Sequence, residues 1–118
     1  MAGVTAKSFD APDKAKDLPG AKAAVCELGD GRVASKISCE PGWKWSKCIK
    51  PIAGTEWCQV DHTGYCLKGS MTVLMKDGTE KVIKAGEAYH IPPEHDGWVM
   101  GDEAVEVIEF TPEGGWAK

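Results

Sequence analysis

The chain is poor in arginine, with Arg32 alone among its fourteen basic residues, and it carries a formal net charge of −4. Arginine is the usual bidentate reader of phosphate and guanine, and no basic stripe is present, so nucleic acid is excluded as a partner. No apolar run approaches the ~20 residues needed to span a bilayer, which excludes a membrane helix. The stretch 1–17 has no apolar core of the secretory kind, so no export signal is expected. No C-x-x-C pair occurs, which excludes a zinc knuckle or a thioredoxin-type motif. G-x-S-x-G, G-x-G-x-x-G, Walker and H-E-x-x-H motifs are missing too, and the five serines follow no nucleophile pattern. No segment holds a 3.6-residue apolar stripe over three turns, so long helices are not expected.

What the 118 residues do contain is punctuation: fourteen glycines and seven prolines, spread along a chain with room for one domain. They also contain five tryptophans and five cysteines, Cys26, Cys39, Cys48, Cys58 and Cys66. An odd cysteine count without an export signal points to free thiols in a reducing cytoplasm. Most of these would act as small hydrophobes.

Period-two alternation begins after Leu18-Pro19-Gly20. Val33, Ser35, Ile37 and Cys39 share one parity, as in a half-buried strand, and Asp30-Gly31 marks a tight turn before them. Strands are predicted over 23–28, 33–39, 43–49, 56–67, 71–76, 79–84, 88–91, 98–100 and 104–110, with turn residues between them. The fold class expected is all-β and antiparallel, a barrel or sandwich that manages its edges. Residues 1–20 read as an arm or an edge strand, 21–112 as the β-domain, and 113–118 as a tail containing Trp116.

The segment Tyr65-Cys66-Leu67-Lys68-Gly69-Ser70-Met71-Thr72-Val73 resembles the Y-V-L-E-G-x-h-x-V hairpin of the cupin superfamily, where h is apolar. Asp77-Gly78 follows, and then Lys84-Ala85-Gly86-Glu87-Ala88-Tyr89-His90-Ile91-Pro92-Pro93, which is similar to the entrance of the cupins' second motif. Pro41-Gly42 stands where those proteins have a turn before their first histidine motif. The resemblance implies a small jelly-roll barrel of two antiparallel sheets, commonly a homodimer, with a cavity open at one end. It also implies a metal site of three histidines and one glutamate, from which this chain departs. Aligned on the Pro-Gly turn, Cys48 falls at the first histidine position and Lys50 at the second. Aligned on the hairpin, His62 falls at the glutamate position. The second-motif histidine falls at Gly97, with His95 the nearby candidate if the loop is shorter.

Alternation adds that Cys58, Val60, His62, Gly64 and Cys66 share a parity that would face inward. A centre on Cys48, His62 and His95 would suit a tetrahedral divalent metal with one open position (Zn, Fe, Mn or Ni), with Glu94, Asp61 or Glu56 as a fourth group. Cys58 and Cys66 could also ligate, but as thiols in apolar surroundings they would be inert. Lys50, Cys58, Cys66, Glu94 and Trp98 are the other candidates for the lining of a ligand cavity. His90 reads as a surface or edge residue. Trp43 and Trp45 cover one sheet face, either as core or as a dimer seam.

Two functions fit this pattern. One is a small-molecule-binding protein with a non-standard Cys/His metal centre, which if catalytic would polarise a carbonyl or activate water or dioxygen. The other is a metal-free binding, sensing or structural module whose ligand sits against Trp98 and the His62 face. The sequence names neither the ligand nor a reaction.

Overall fold

The computed structural model describes residues 3–110. Trp116 and the tail 113–118 lie outside the described residues. Strands β1 (Lys14–Leu18), β2 (Ala21–Gly29), β3 (Arg32–Cys39) and β4 (His62–Lys68) precede β5 (Ser70–Met75), β6 (Glu80–Lys84) and β7 (Ala88–Ile91). Strands β8 (His95–Val99) and β9 (Val105–Glu109) complete the set. They form two antiparallel sheets, one of six strands ordered β1-β2-β3-β9-β4-β7 and one of three ordered β6-β5-β8.

The core lies between the sheets. Ala23, Ile37, Cys66, Val105 and Val107 of the larger sheet share one buried cluster with Val73, Ile83 and Val99 of the smaller. Burial alternates along β3 at Val33, Ser35, Ile37 and Cys39, as period two requires, although Ala34 is buried as well. On β9 the inward parity is Val105, Val107 and Glu109, so one carboxylate is placed among apolar side chains.

The all-β antiparallel reading holds, and two of its elements are corrected. Residues 43–49 do not form a strand. Two single-turn helices, α1 (Trp45–Cys48) and α2 (Lys50–Ala53), follow Trp43 instead. Asp96 Oδ1 accepts from the Ser46 backbone N–H at 3.0 Å, satisfying one free donor of α1. Pro51 sits in the first turn of α2, and Gly54 ends it in the left-handed conformation at φ 75°, the usual proline-in, glycine-out asymmetry. Trp43 and Trp45 are therefore buried without sharing a sheet face. The predicted strand over 56–67 is the second correction, because only its second half, within β4, pairs regularly. Residues 56–61 are irregular, apart from a single bridge joining Cys58 to His95. Residues 14–18, within the expected arm, add β1 as an edge strand on β2.

Candidate metal centre

Three buried side chains from different parts of the fold meet between the sheets. His62 begins β4 in the six-stranded sheet, and His95 begins β8 in the three-stranded sheet. Cys58 is clasped to β8 by backbone bonds: its N–H donates to the His95 carbonyl at 2.8 Å, and the Cys58 carbonyl accepts from the Glu94 N–H at 2.7 Å. Glu94 makes this clasp in a left-handed conformation, φ 73°, that few non-glycine residues adopt. The donor atoms of Cys58, His62 and His95 all lie within 4.8 Å of one another. The two imidazoles meet edge to face with centroids 5.1 Å apart.

The orientation of each ring is set by what its Nδ1 touches. His62 Nδ1–H donates to Glu109 Oε1 at 2.7 Å, and His95 Nδ1–H donates to the Pro92 carbonyl at 2.7 Å. Both acceptors fix the proton on Nδ1, which leaves Nε2 as the available lone pair when the rings are neutral. His62 Nε2 lies 3.8 Å from Cys58 Sγ. Glu109 is held in turn, since Tyr89 Oη donates to its Oε2 at 2.6 Å.

This arrangement needs Gly64. It pairs with Glu109 on one side and Tyr89 on the other. A Cβ at Gly64 would stand 2.5 Å from the Ile108 carbonyl oxygen and 2.9 Å from both Glu109 Cγ and Tyr89 Oη. Glycine here is therefore a matter of space: the carboxylate and the phenol occupy the volume that any side chain would take.

Charge is arranged to favour ionised forms. Burial alone would raise the Cys58 thiol, but hydrogen bonds from His62 and His95, with the positive charge on His95, bring it down to about 6. Burial would lower His62, yet bonds to Cys58 and Glu109 and the negative charge of both raise it to about 9. Each partner thus shifts the other toward its ionised form, thiolate for Cys58 and imidazolium for His62. Tyr89 is raised by burial and by the Glu109 charge, so it stays a hydrogen-bond donor.

Around these groups lies a cavity of about 50 Å³, lined by the two histidines, Cys58, Glu109, Tyr89, Trp43, Trp45 and apolar residues of both sheets. The residues present fit a divalent ion. Two imidazole nitrogens and one thiolate form a soft, buried N₂S set, each imidazole backed by an acceptor on its far nitrogen. A tetrahedral ion held by these three would have one position for a ligand.

No protein-family profile and no curated protein matches the chain. Solved structures do. An RmlC-like cupin from Shewanella frigidimarina superposes with a TM-score of 0.58 at 22% identity, over 86% of this chain and 85% of that one. The polyketide cyclase RemF from Streptomyces resistomycificus gives 0.61 at 24% identity, over 93% and 80%. A protein of unknown function from Acidithiobacillus ferrooxidans gives 0.63 at 18% identity, over 94% and 99%.

The chain has the cupin fold.

Of the sequence candidates Cys48, His62 and His95, the structure brings His62 and His95 together and sets Cys58, not Cys48, beside them. Cys48 lies on α1, half-buried against the core, so its alignment to a histidine on a strand fails with the strand itself. Its neighbour Cys39 is pushed up to about 12 by burial, then by the charges of Glu109 and Cys48, and stays protonated. The surroundings of Cys58 are also not wholly apolar, since His62 Nε2 lies 3.8 Å from its sulfur and His95 completes the group.

The remaining candidates stand outside the cavity lining. Lys50 pairs with Glu56 at 3.3 Å, and Glu94 pairs with Lys76 at 3.2 Å on the surface. Asp61 and His90 form an exposed pair at 3.0 Å. Neither Glu56, Asp61 nor Glu94 therefore joins the trio as a fourth group. Cys66 is fully buried, with its sulfur 3.5 Å from the Lys68 carbonyl oxygen, and burial raises its pKa. Trp98 is half-buried, with Lys44 Nζ 4.9 Å from its ring centroid. Glu109 and Tyr89 were not anticipated. An acidic residue on the inward parity of 105, 107 and 109 was the available signal for Glu109.

Proposed function

We propose that this protein binds a small molecule at a divalent metal centre held by Cys58, His62 and His95. The observation that carries this reading is the orientation of the two histidines. Each Nδ1–H is tied to a buried acceptor, and both rings meet Cys58 Sγ within 4.8 Å. The Nε2 lone pair, fixed by tautomer, is what a metal ligand requires. Zinc suits the N₂S set best, with iron, manganese and nickel as the other candidates. When bound, the ion would polarise a carbonyl or acidify a coordinated water. The chain's own residues do the rest. Glu109 and the Pro92 carbonyl orient the rings, Tyr89 anchors Glu109, and the aromatic and aliphatic lining excludes bulk water.

Metal analysis of protein purified without a histidine tag and reconstituted with Zn²⁺, Fe²⁺, Mn²⁺ or Ni²⁺ tests this directly. About one equivalent of one metal is expected, and it should be lost in His62→Ala. Less than about a tenth of an equivalent of every metal would overturn the reading in favour of a metal-free binding module built on the Cys58–His62 pair. The assembly we infer is a homodimer. Tyr65 and Leu67, on the parity of β4 opposite to His62, are each 42% exposed and available to a second copy. A sedimentation coefficient of the monomer at high micromolar concentration would refute it. All five cysteines are free thiols, which supports placing the protein in a reducing cytoplasm.

A further inference from the structure

One buried polar group near the centre has no protein partner. Among the described residues, the Trp43 indole N–H is the buried side-chain polar atom left without a hydrogen bond. Buried donors are nearly always paired, so an orphan calls for an explanation. Trp43 is 6% exposed and lines the same cavity as Cys58, His62 and His95.

Its position is fixed on several sides. The Trp43 backbone N–H donates to the Glu40 carbonyl at 3.0 Å, and its carbonyl accepts from Val99 N–H at 3.0 Å. Gly20 adjoins the ring, where an added Cβ would lie 3.1 Å from Cδ1. The indole is a rigid donor with little freedom to find another partner.

We infer that Trp43 is a specificity-determining residue whose indole N–H binds an acceptor oxygen of the ligand at the Cys58/His62/His95 centre. This rests on the function proposed above and assigns the ligand's class. A cavity of about 50 Å³ holds about three to five waters at 10–15 Å³ each. The part of the ligand inside is therefore about as small as a carboxylate. The Cys58 thiolate and the Glu109 carboxylate beside His62 together balance a divalent ion, so the ligand is selected by its size and its acceptor oxygen rather than by net charge. The indole then selects for oxygen acceptors over ligands that offer none.

Sodium formate, the smallest carboxylate, is the probe. The full chain is labelled with ¹⁵N, and the five tryptophan indole resonances are followed as formate is added to the zinc-loaded and the metal-free protein. Zinc content is measured separately. The Trp43 indole resonance, assigned by its loss in Trp43→Phe, is expected to shift saturably, and those of Trp57 and Trp98, which stand outside the cavity lining, to stay. Trp43→Phe, which keeps an aromatic ring and removes the donor, is expected to bind a full equivalent of zinc but to hold formate roughly ten- to a hundredfold more weakly. Formate that binds the zinc-loaded protein without moving the Trp43 resonance would overturn the inference, as would equal affinity in Trp43→Phe. If Trp43→Phe fails to fold, the other indoles are assigned by their own substitutions and the wild-type titration decides. Absence of zinc binding overturns the metal reading alone. The metal-free titration then decides the role of Trp43: a saturable shift supports it and an unmoved resonance overturns it.

Discussion

Gly64→Ala is the smallest substitution that should disable the site, although Gly64 offers no ligand atom. The added methyl would stand 2.5 Å from the Ile108 carbonyl oxygen, a distance that real side chains do not tolerate. Backbone oxygen in the middle of a ladder cannot swing aside, so β9 must move away from β4. Overpacking of this kind costs about 1–3 kcal/mol. The same methyl would meet Glu109 Cγ and Tyr89 Oη at 2.9 Å, displacing the carboxylate that holds His62. Disturbing a buried hydrogen bond to a charged group costs about 1.5–3 kcal/mol more, partly overlapping with the first term. A total near 3 kcal/mol, at about 4 °C per kcal/mol for a domain of this length, lowers Tm by about 12 °C. Urea unfolding and calorimetry measure the stability, and competition against a chelator measures zinc affinity. Affinity is expected to fall about 10- to 100-fold, as when the partner of a metal-bound histidine is lost. A variant less than about 1 kcal/mol weaker, with wild-type zinc affinity, would refute both the spacing argument and the role given to Glu109.

Glu109→Gln keeps the shape but removes the charge facing His62 Nδ1, and zinc affinity measured by chelator competition should drop about 10- to 100-fold. Unchanged affinity would show that the carboxylate does not orient the ring. Cys58→Ser should abolish the thiolate-to-metal charge-transfer band of the Co²⁺-substituted protein, whereas Cys48→Ser should retain it; the opposite result would restore Cys48 as the ligand. In metal-free protein, the thiolate absorbance lost on Cys58→Ser should titrate near pH 6 rather than near its ordinary 9.0, and a midpoint above 8 would count against the pair. Stability follows with opposite signs for the two partners. The Cys58 contribution is full above 9.0 and lost as pH falls through about 6, and that of His62 is full below 6.5 and lost as pH rises through about 9. Between about pH 6.5 and 9 the two trends offset each other, so the melting temperature of the metal-free protein should be nearly level there; Cys58→Ser removes the rising contribution, and its melting temperature should fall as pH rises through the His62 midpoint.

The strands that sequence reading found best were those whose signal is local. Val33 to Cys39 alternate over a full strand length, and Gly69, Gly78 and Gly86 take positive φ at the turns where they were expected. The 43–49 segment misled because two tryptophans one residue apart satisfy a period-two test over too few residues to exclude a helical turn. Pro51 and Gly54 carried the better information about α2. His62 and His95 were accessible from the hairpin and the second-motif entrance, since both lie close to those turns in the chain. Cys58 was not accessible in the same way. Its parity with His62 was right by accident, because 56–61 is irregular and the sulfur is placed by a bridge to His95, thirty-seven positions away. Glu109 lies forty-seven positions from His62, and only the β4–β9 register brings them together. Long-range register is what a single sequence states least directly.

The two histidines belong to different sheets, and this makes the occupant of the centre a structural fastener. His62 is anchored in the larger sheet through Glu109, while His95 and the clasped Cys58 move with the smaller one. An ion held by all three would rivet the halves of the sandwich together, and its loss would leave them joined by apolar contact and the Cys58–His62 pair. Binding free energy is then paid into the whole fold, with stability rising as RT ln(1 + [L]/Kd). Amides of β4 and β8, on opposite walls, should slow their hydrogen exchange together when the site fills. Chelation would act less like emptying a pocket than like drawing a bolt.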